Sequence, residues 1–348
     1  QLELRGASME AEPATDWHPE PLCGGTAGHA LGTADRALRE AVAAAGASPA
    51  LDLRRTDFVR MAVAAEPKAA ALAALDKYGC GTCGPRGFYG TLDVHLRLEE
   101  ALARFLGTEQ AIIYSFGIAT ISSVVPAFVR KGDLLYMDAG VSFCAAVGSV
   151  LSRGATRTFP HNDLAALEAQ LRQQAEADLS LPPAKRPRRF VLVEGLYAND
   201  GSLADLPALL RLRDTYGAYL IVDETLSFGT LGGTGRGLAE HYGVSPAEID
   251  VLVGSLEHSL GSVGGFCAGS RPVVSHQRLS GAGYCFSASL PAYATFAALE
   301  ALTLLDAQPK RIADLAAASA ALHAALQRHV APVPLVEVTS DAASPIAH

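Results

Sequence analysis

Asp250–Gly265 reads DVLVGSLEHSLGSVGG, an apolar β-rich run that enters a turn of small residues and then a glycine-rich stretch. The apolar run shows no polar alternation, which is how a strand covered on both faces reads. Comparable runs lie upstream at 218–222, 190–194 (FVLVE), 134–138 and 111–115. Helical spacing falls at 93–106, 163–175, 204–216 and 289–306. Strands alternating with helices indicate an α/β fold with a mainly parallel central sheet and helices on both faces. Open sheets of this kind bind ligands outside the carboxyl ends of their strands, so Asp223, which closes AYLIVD, is placed at that crevice. A turn cap after the strand is the other use for such an acid.

Organisation beyond the sheet is coarser. Residues 1–65 are expected to form an N-terminal arm with one helix near Thr33–Ala45, 66–306 the large domain, and 307–348 the start of a smaller α+β domain cut short at His348. Within these, 66–78 and 310–330 have helical spacing and 332–340 has the look of a strand. The first residue is Gln1 rather than Met, and we expect a fragment.

The chain has 348 residues, is 49% apolar and 18% charged, and carries a net charge of −8, a globular composition that argues against a nucleic-acid surface. Six scattered cysteines suggest reduced thiols in a protein facing the cytosol. Ala111–Val129 holds 19 residues without a charge, long enough to raise a membrane span. Its Gly117, Pro126 and three serines make a buried strand, a turn and a buried helix the better reading. Pro182–Arg189 (PPAKRPRR) is read as a solvated loop, with an anionic lipid surface as the alternative contact.

Tyr78–Gly90 (YGCGTCGPRGFYG) packs five glycines into thirteen residues, implying close backbone approaches. Cys80 and Cys83 form a C-x-x-C pair, but no second Cys or His pair stands at zinc spacing, so no metal site is expected.

The longer string KYGCGTCGPRGFYGTLDVHLRLE (77–99) resembles the first long-chain-base subunits of serine palmitoyltransferase, a branch of the α-oxoamine synthases. AIIYSFGIAT (111–120), HND (161–163), VEGLY (193–197), LSFG (226–229), GRG (235–237), EHYG (240–243), GGFC (264–267) and HQRLSGAGYCFSASLP (276–291) carry the same resemblance, as does WHPEPL (17–22) in the arm. It implies a pyridoxal-phosphate (PLP) transferase of fold type I. It also implies the non-catalytic partner of a homologous subunit that holds PLP on a lysine, the pair condensing L-serine with palmitoyl-CoA at the cytosolic face of the endoplasmic reticulum membrane.

By the same resemblance, 250–265 is the PLP-lysine segment, and its lysine position holds His258. An imidazole is not a primary amine and cannot form the Schiff base. Asp223 would be a vestige of the pyridine-nitrogen partner. Leu226 and Ser142 stand where catalytic members carry histidines, and Phe116 and Ile121 where phosphate-binding groups are usual. Asp200, like Asp223, is retained from catalytic members. The chain's only lysines are Lys68, Lys77, Lys131, Lys185 and Lys310, none at the end of a core strand. His161 and His258 are expected to be structural. The glycine-rich loop would lie at the dimer interface, making Cys83, Arg86 and Tyr89 interface candidates. Ser287 and Ser289 would reach the partner's PLP site, or Ser289 would cap the helix that follows. Within 1–348 we expect no counterpart of the family's hydrophobic N-terminal helix, and we expect Phe58–Glu66 to be shorter than the matching region. The rival readings are a competent α-oxoamine synthase and a regulatory scaffold of the complex.

Overall fold

A computed structural model describes residues 56–330 and 337–348. The expected arm at 1–55, its helix, WHPEPL and most of the strand expected at 332–340 lie outside the described residues. Residues 56–348 are one compact unit.

Helix α1 (Ala65–Tyr78) and helix α2 (Asp93–Leu106) precede the sheet. Helix α2 follows from its spacing: Val94, Leu98, Leu102 and Phe105 recur on one face and are buried. Gly107 stops it in the left-handed conformation, φ 75° and ψ 27°, where a side chain is disfavoured.

Strand β1 (Gln110–Tyr114) leads into helix α3 (Gly117–Phe128), so Ala111–Val129 is a buried strand, a turn and a largely buried helix. Strand β2 (Leu134–Asp138), helix α4 (Phe143–Ser152), strand β3 (Ala155–Phe159) and helix α5 (Leu164–Asp178) follow. Then come strand β4 (Arg189–Glu194), helix α6 (Leu206–Tyr216), strand β5 (Ala218–Asp223), the short helix α7 (Leu238–His241), strand β6 (Val251–Ser255) and strand β7 (Gly265–Gly269). Helices α8 (Arg271–Ser280), α9 (Ala282–Cys285), α10 (Ala292–Ala307) and α11 (Lys310–His329) complete the unit. Helices α5 and α6 begin where Asp163 and Asp205 accept hydrogen bonds from the amides of Ala166 (2.9 Å) and Ala208 (3.0 Å), ordinary carboxylate caps.

The seven strands form one sheet in the order β1-β7-β6-β5-β4-β2-β3. Pairing is parallel from β6 through β3, and β7 alone runs against its neighbours. The sheet is thus mainly parallel, as expected, with two strands that were not. Strand β3 (ATRTF) is a largely exposed edge without an apolar run, and β7 (GFCAG) is fully buried but built from small residues. Helices α4 and α8 were also unforeseen. Residues 337–340 form no strand. They lie against the turn at 200–201, where Asp341 N donates to Gly201 O at 3.1 Å.

Parallel register carries Glu194 at the end of β4 directly beside Asp223 at the end of β5. Strand β6 ends one position further along the sheet, and the nine-residue loop 256–264 connects it to antiparallel β7, Ser255 opposing Gly265. The carboxyl ends of the central strands therefore gather Glu194, Asp223 and the 256–264 loop at one crevice.

Candidate functional site: a carboxylate-lined crevice beside a clamped glycine loop

Asp223 is 3% exposed and accepts a hydrogen bond from Thr225 N at 2.9 Å. Burial pushes its carboxyl group upward from the usual range, opposed by that bond. Glu194 is buried beside it and accepts from Ser142 N at 2.6 Å and Ala198 N at 3.3 Å. Burial and the Asp223 charge raise its pKa as well. Glu224 faces the other way, taking Leu238 N at 3.0 Å and the Ser227 hydroxyl, and burial lifts it to about 7.

Glu257 and His258 lie just past β6. The Glu257 carboxylate accepts from Gly117 N at 3.3 Å, at the first residue of α3. Its backbone is set by Ser255 Oγ, which accepts from Glu257 N at 3.0 Å. His258 is partly buried, and its Nδ1 shares a hydrogen bond of 2.7 Å with Thr56 Oγ1. Burial lowers the pKa of its ring, partly offset by Glu257. The Cys144 thiol, near the start of α4, is raised by burial and by the charges of Asp223, Glu194 and Glu257. Asp223, Glu194 and the 257–258 turn thus gather at the carboxyl edge of the sheet, with Cys144 close by.

Five lysines bear on what this crevice can do. Lys68, Lys77, Lys131, Lys185 and Lys310 are all exposed on the surface. Phe116 is exposed, Leu226 is buried, and Ile121 is packed in the core at 3% exposure. His161 bridges two carboxylates, Nδ1 to Asp138 at 2.7 Å and Nε2 to Asp200 at 2.9 Å, with Ser202 Oγ 2.8 Å away. Asp200 thus belongs to a clasp between β2 and the 200–202 turn. Among the described residues no group of three or more His, Cys, Asp or Glu could hold a metal ion.

The glycine loop 79–90 is clamped to segment 284–291. Ser289 N and Oγ both donate to Gly84 O, at 2.9 and 3.1 Å, and Thr82 Oγ1 donates to Ser289 O at 2.9 Å. A Cβ on Gly90 would collide with the Gly84 carbonyl and the Ser289 hydroxyl, so only glycine fits there. Ser289 therefore does not cap α10: the helix starts at Ala292 with Pro291 as its cap residue, and the cap makes no side-chain hydrogen bond. Ser289 is buried in this clamp at 4% exposure, while the Ser287 hydroxyl bonds Gly283 O.

Arg86 is turned inward. Its Nη1 bonds Glu99 Oε1 at 2.7 Å, its Nε bonds Thr91 Oγ1 at 3.1 Å, and the guanidinium lies 5.5 Å from the Tyr284 ring centroid. Glu99 also accepts from Ile113 N in β1 at 3.1 Å, which ties the loop to the sheet. His95 adds a second tie. Leu92 N donates to Nδ1 (2.9 Å), leaving Nε2–H to donate to Leu290 O (2.7 Å), and burial lowers the ring pKa to about 4. Against this rigid base Cys83 is exposed with φ 55°, and Phe88, Tyr89 and Phe286 stand out at 75%, 92% and 87% exposure. In the basic loop, Arg188 pairs with Asp133 at 2.6 Å and Arg189 with Asp178, so two of its cations serve internal packing.

Glu257, Glu194, Glu99 and His95 were missed from sequence. Glu194 had a signal: FVLVE ends in an acid as AYLIVD does, and parallel neighbours in register bring two such ends together.

A seven-stranded, mainly parallel sheet with its acids at the strand ends is an α/β scaffold with a ligand crevice at its carboxyl edge. The model of the family aminotransferase class I and II matches residues 55–342, and the chain belongs to that family. It is 44% identical over 272 residues to long chain base biosynthesis protein 1c of Oryza sativa subsp. japonica, covering 78% of this chain and 55% of the relative. It is 43% identical to serine palmitoyltransferase 1 of Dictyostelium discoideum, covering 86% of this chain and 62% of that protein. The chain thus spans a little over half the length of these curated relatives. Among solved structures, an SPT with PLP as its internal aldimine superposes at TM-score 0.76 and 29% identity, over 84% of this chain and 70% of that one. Sphingomonas wittichii serine palmitoyltransferase gives TM-score 0.75 at 29% identity, over 89% and 80%.

Proposed function

We propose that this chain is the non-catalytic subunit of a serine palmitoyltransferase. It pairs with a homologous subunit whose lysine carries PLP, and the pair condenses L-serine with palmitoyl-CoA to 3-ketosphinganine, the first step of sphingolipid synthesis. The observation that carries the reading is the position of the lysines. All five are exposed, and the residue delivered by the loop after β6 is His258, which has no primary amine.

The crevice does not fit the cofactor. Bound PLP would supply an electron sink through its protonated ring nitrogen. Asp223 suits that nitrogen, but an anionic group would meet Glu257 at the start of α3. We therefore assign the cofactor to the partner.

What this chain contributes is a surface. The clamp between loop 79–90 and segment 284–291 fixes the backbone beneath Cys83, Tyr89 and Phe286. Aromatic side chains presented from a rigid base are what a stable protein interface uses. Arg86 supports that surface from within rather than touching the partner. Ser289, spent on the clamp, likewise holds the loop. We place the assembly on the endoplasmic reticulum membrane. Among the described residues no helix is long and apolar enough to cross a bilayer.

The test is condensation of serine with palmitoyl-CoA by this chain alone, by a lysine-bearing homologue alone, and by both together. Activity confined to the mixture is expected, and Tyr89→Asp should abolish it without lowering the chain's own stability. Activity from this chain alone would sink the reading and restore a competent α-oxoamine synthase. A mixture indifferent to Tyr89→Asp, or no more active than the homologue alone, favours a regulatory scaffold.

A further inference from the structure

We infer that Glu257 is a built-in counter-anion: its carboxylate fills the N-terminus of the helix Gly117–Phe128 and keeps phosphate groups, PLP included, out of this chain's own crevice. The inference deepens the proposed function, since it rests on reading the crevice as a cofactor site that has lost its amine.

A helix N-terminus presents amides without intrahelical partners and a partial positive charge, so it attracts anions. Here the twelve-residue helix is met by the chain's own acid. Gly117 N donates to Glu257 Oε1 at 3.3 Å. The fit is close. A Cβ placed on Gly117 would lie 2.7 Å from Glu257 Oε1 and 2.9 Å from its Cδ, so the carboxylate occupies the space in front of the first helical residue. Phe116, which precedes the helix, offers no hydroxyl and supplies no side-chain cap.

The acid is held there by its backbone. Glu257 N donates to Ser255 Oγ at 3.0 Å and Glu257 O accepts from Gly261 N at 3.1 Å, while Leu256 N bonds Gly264 O at 2.9 Å. These bonds fix the backbone of the loop between β6 and β7, so the Glu257 side chain starts from a set place and its carboxylate leaves Gly117 N only by turning about its own torsions. Electrostatics act in the same direction. The carboxylate at Gly117 N carries the same sign as an incoming phosphate, so the two compete for the same helix amides. Loss of the amine would by itself leave a crevice able to hold PLP without a covalent bond. Glu257 closes that second route, so that free PLP partitions to the partner's site.

The test is binding of inorganic phosphate and of PLP to the chain alone, followed by equilibrium dialysis, for the native chain, Glu257→Ala and Glu257→Ser. Removing the carboxylate should tighten phosphate binding by about tenfold and give PLP a matching gain. Equal affinities in the native chain and the variants overturn the inference. A double-mutant cycle gives a second readout. Gly117→Ala should lower the melting temperature of the native chain and lower it less in the Glu257→Ala background, because the methyl group then has room. The same loss in both backgrounds overturns the inference too. Should Glu257→Ala fail to fold, Glu257→Ser carries both measurements. Neither readout uses activity. Unchanged phosphate affinity with an active mixture removes the counter-anion alone, whereas altered affinity with an inactive mixture removes the subunit reading alone.

Discussion

Arg86→Met isolates the bond that ties the glycine loop to the sheet. The Arg86 and Glu99 side chains are 4% and 6% exposed and 2.7 Å apart. Methionine keeps most of the volume over Tyr284 but leaves the buried Glu99 with only Ile113 N and the more distant, partly exposed Arg278 guanidinium at 3.9 Å. Removing one member of such a buried pair costs about 3–5 kcal/mol, since the survivor keeps its desolvation penalty, and the remaining Arg278 holds the cost here near the lower end. The lost bond to Thr91 Oγ1 adds about 1 kcal/mol. Urea unfolding of the chain should therefore show a loss of about 4 kcal/mol. Glu99→Gln retains the acceptor for Ile113 N but removes the charge, so Arg86→Met should cost about 1–3 kcal/mol less in that background. A loss below about 1 kcal/mol, the value of an exposed pair, would refute the reasoning, as would strict additivity with Glu99→Gln.

Glu224 gives a pH prediction. Its folded pKa of about 7 lies above that of an ordinary glutamate, so the folded chain holds a proton that the unfolded chain releases. That stability is full below about pH 4.5 and is lost as pH rises through about 7. Glu224→Gln should remove a fall of roughly 3 kcal/mol across that window, at about 1.4 kcal/mol per pH unit, and unfolding curves at several pH values would show a flatter profile than the native chain. An unchanged profile refutes it. Gly90→Ala drives a methyl group into the Gly84 carbonyl, and should release loop 79–90 to limited proteolysis near Phe88 and Tyr89. A loop as protected as in the native chain refutes the clamp.

Much of the sheet was readable because β4, β5 and β6 are continuous apolar runs, and such runs between helices have few other uses. Strand β7 escaped because glycine, alanine and cysteine carry little β signal, and its place depends on lying against β6 and β1. Strand β3 escaped because an exposed edge needs no apolar face. At the site, Asp223 was legible from its strand end and Glu194 could have been. The direction of Arg86 was not, because arginine in a glycine loop reads as a surface residue until Glu99, thirteen positions later, is seen beneath it. Ser289 was misread as a possible cap for a related reason: its partner, Gly84, is 205 residues away. Local patterns record neighbours along the chain, and these contacts depend on closure of the fold.

The reversal of β7 has a consequence for change over generations. Because β6 and β7 are antiparallel partners, the nine residues between them are pinned at both ends, Ser255 against Gly265. The location reached by position 258 is set by that pinning and not by the residue that stands there. An imidazole, an amide or an amine would be delivered to the same address. A duplicated chain can therefore surrender its chemistry through a single codon while its shape, and any partner that reads that shape, notices nothing.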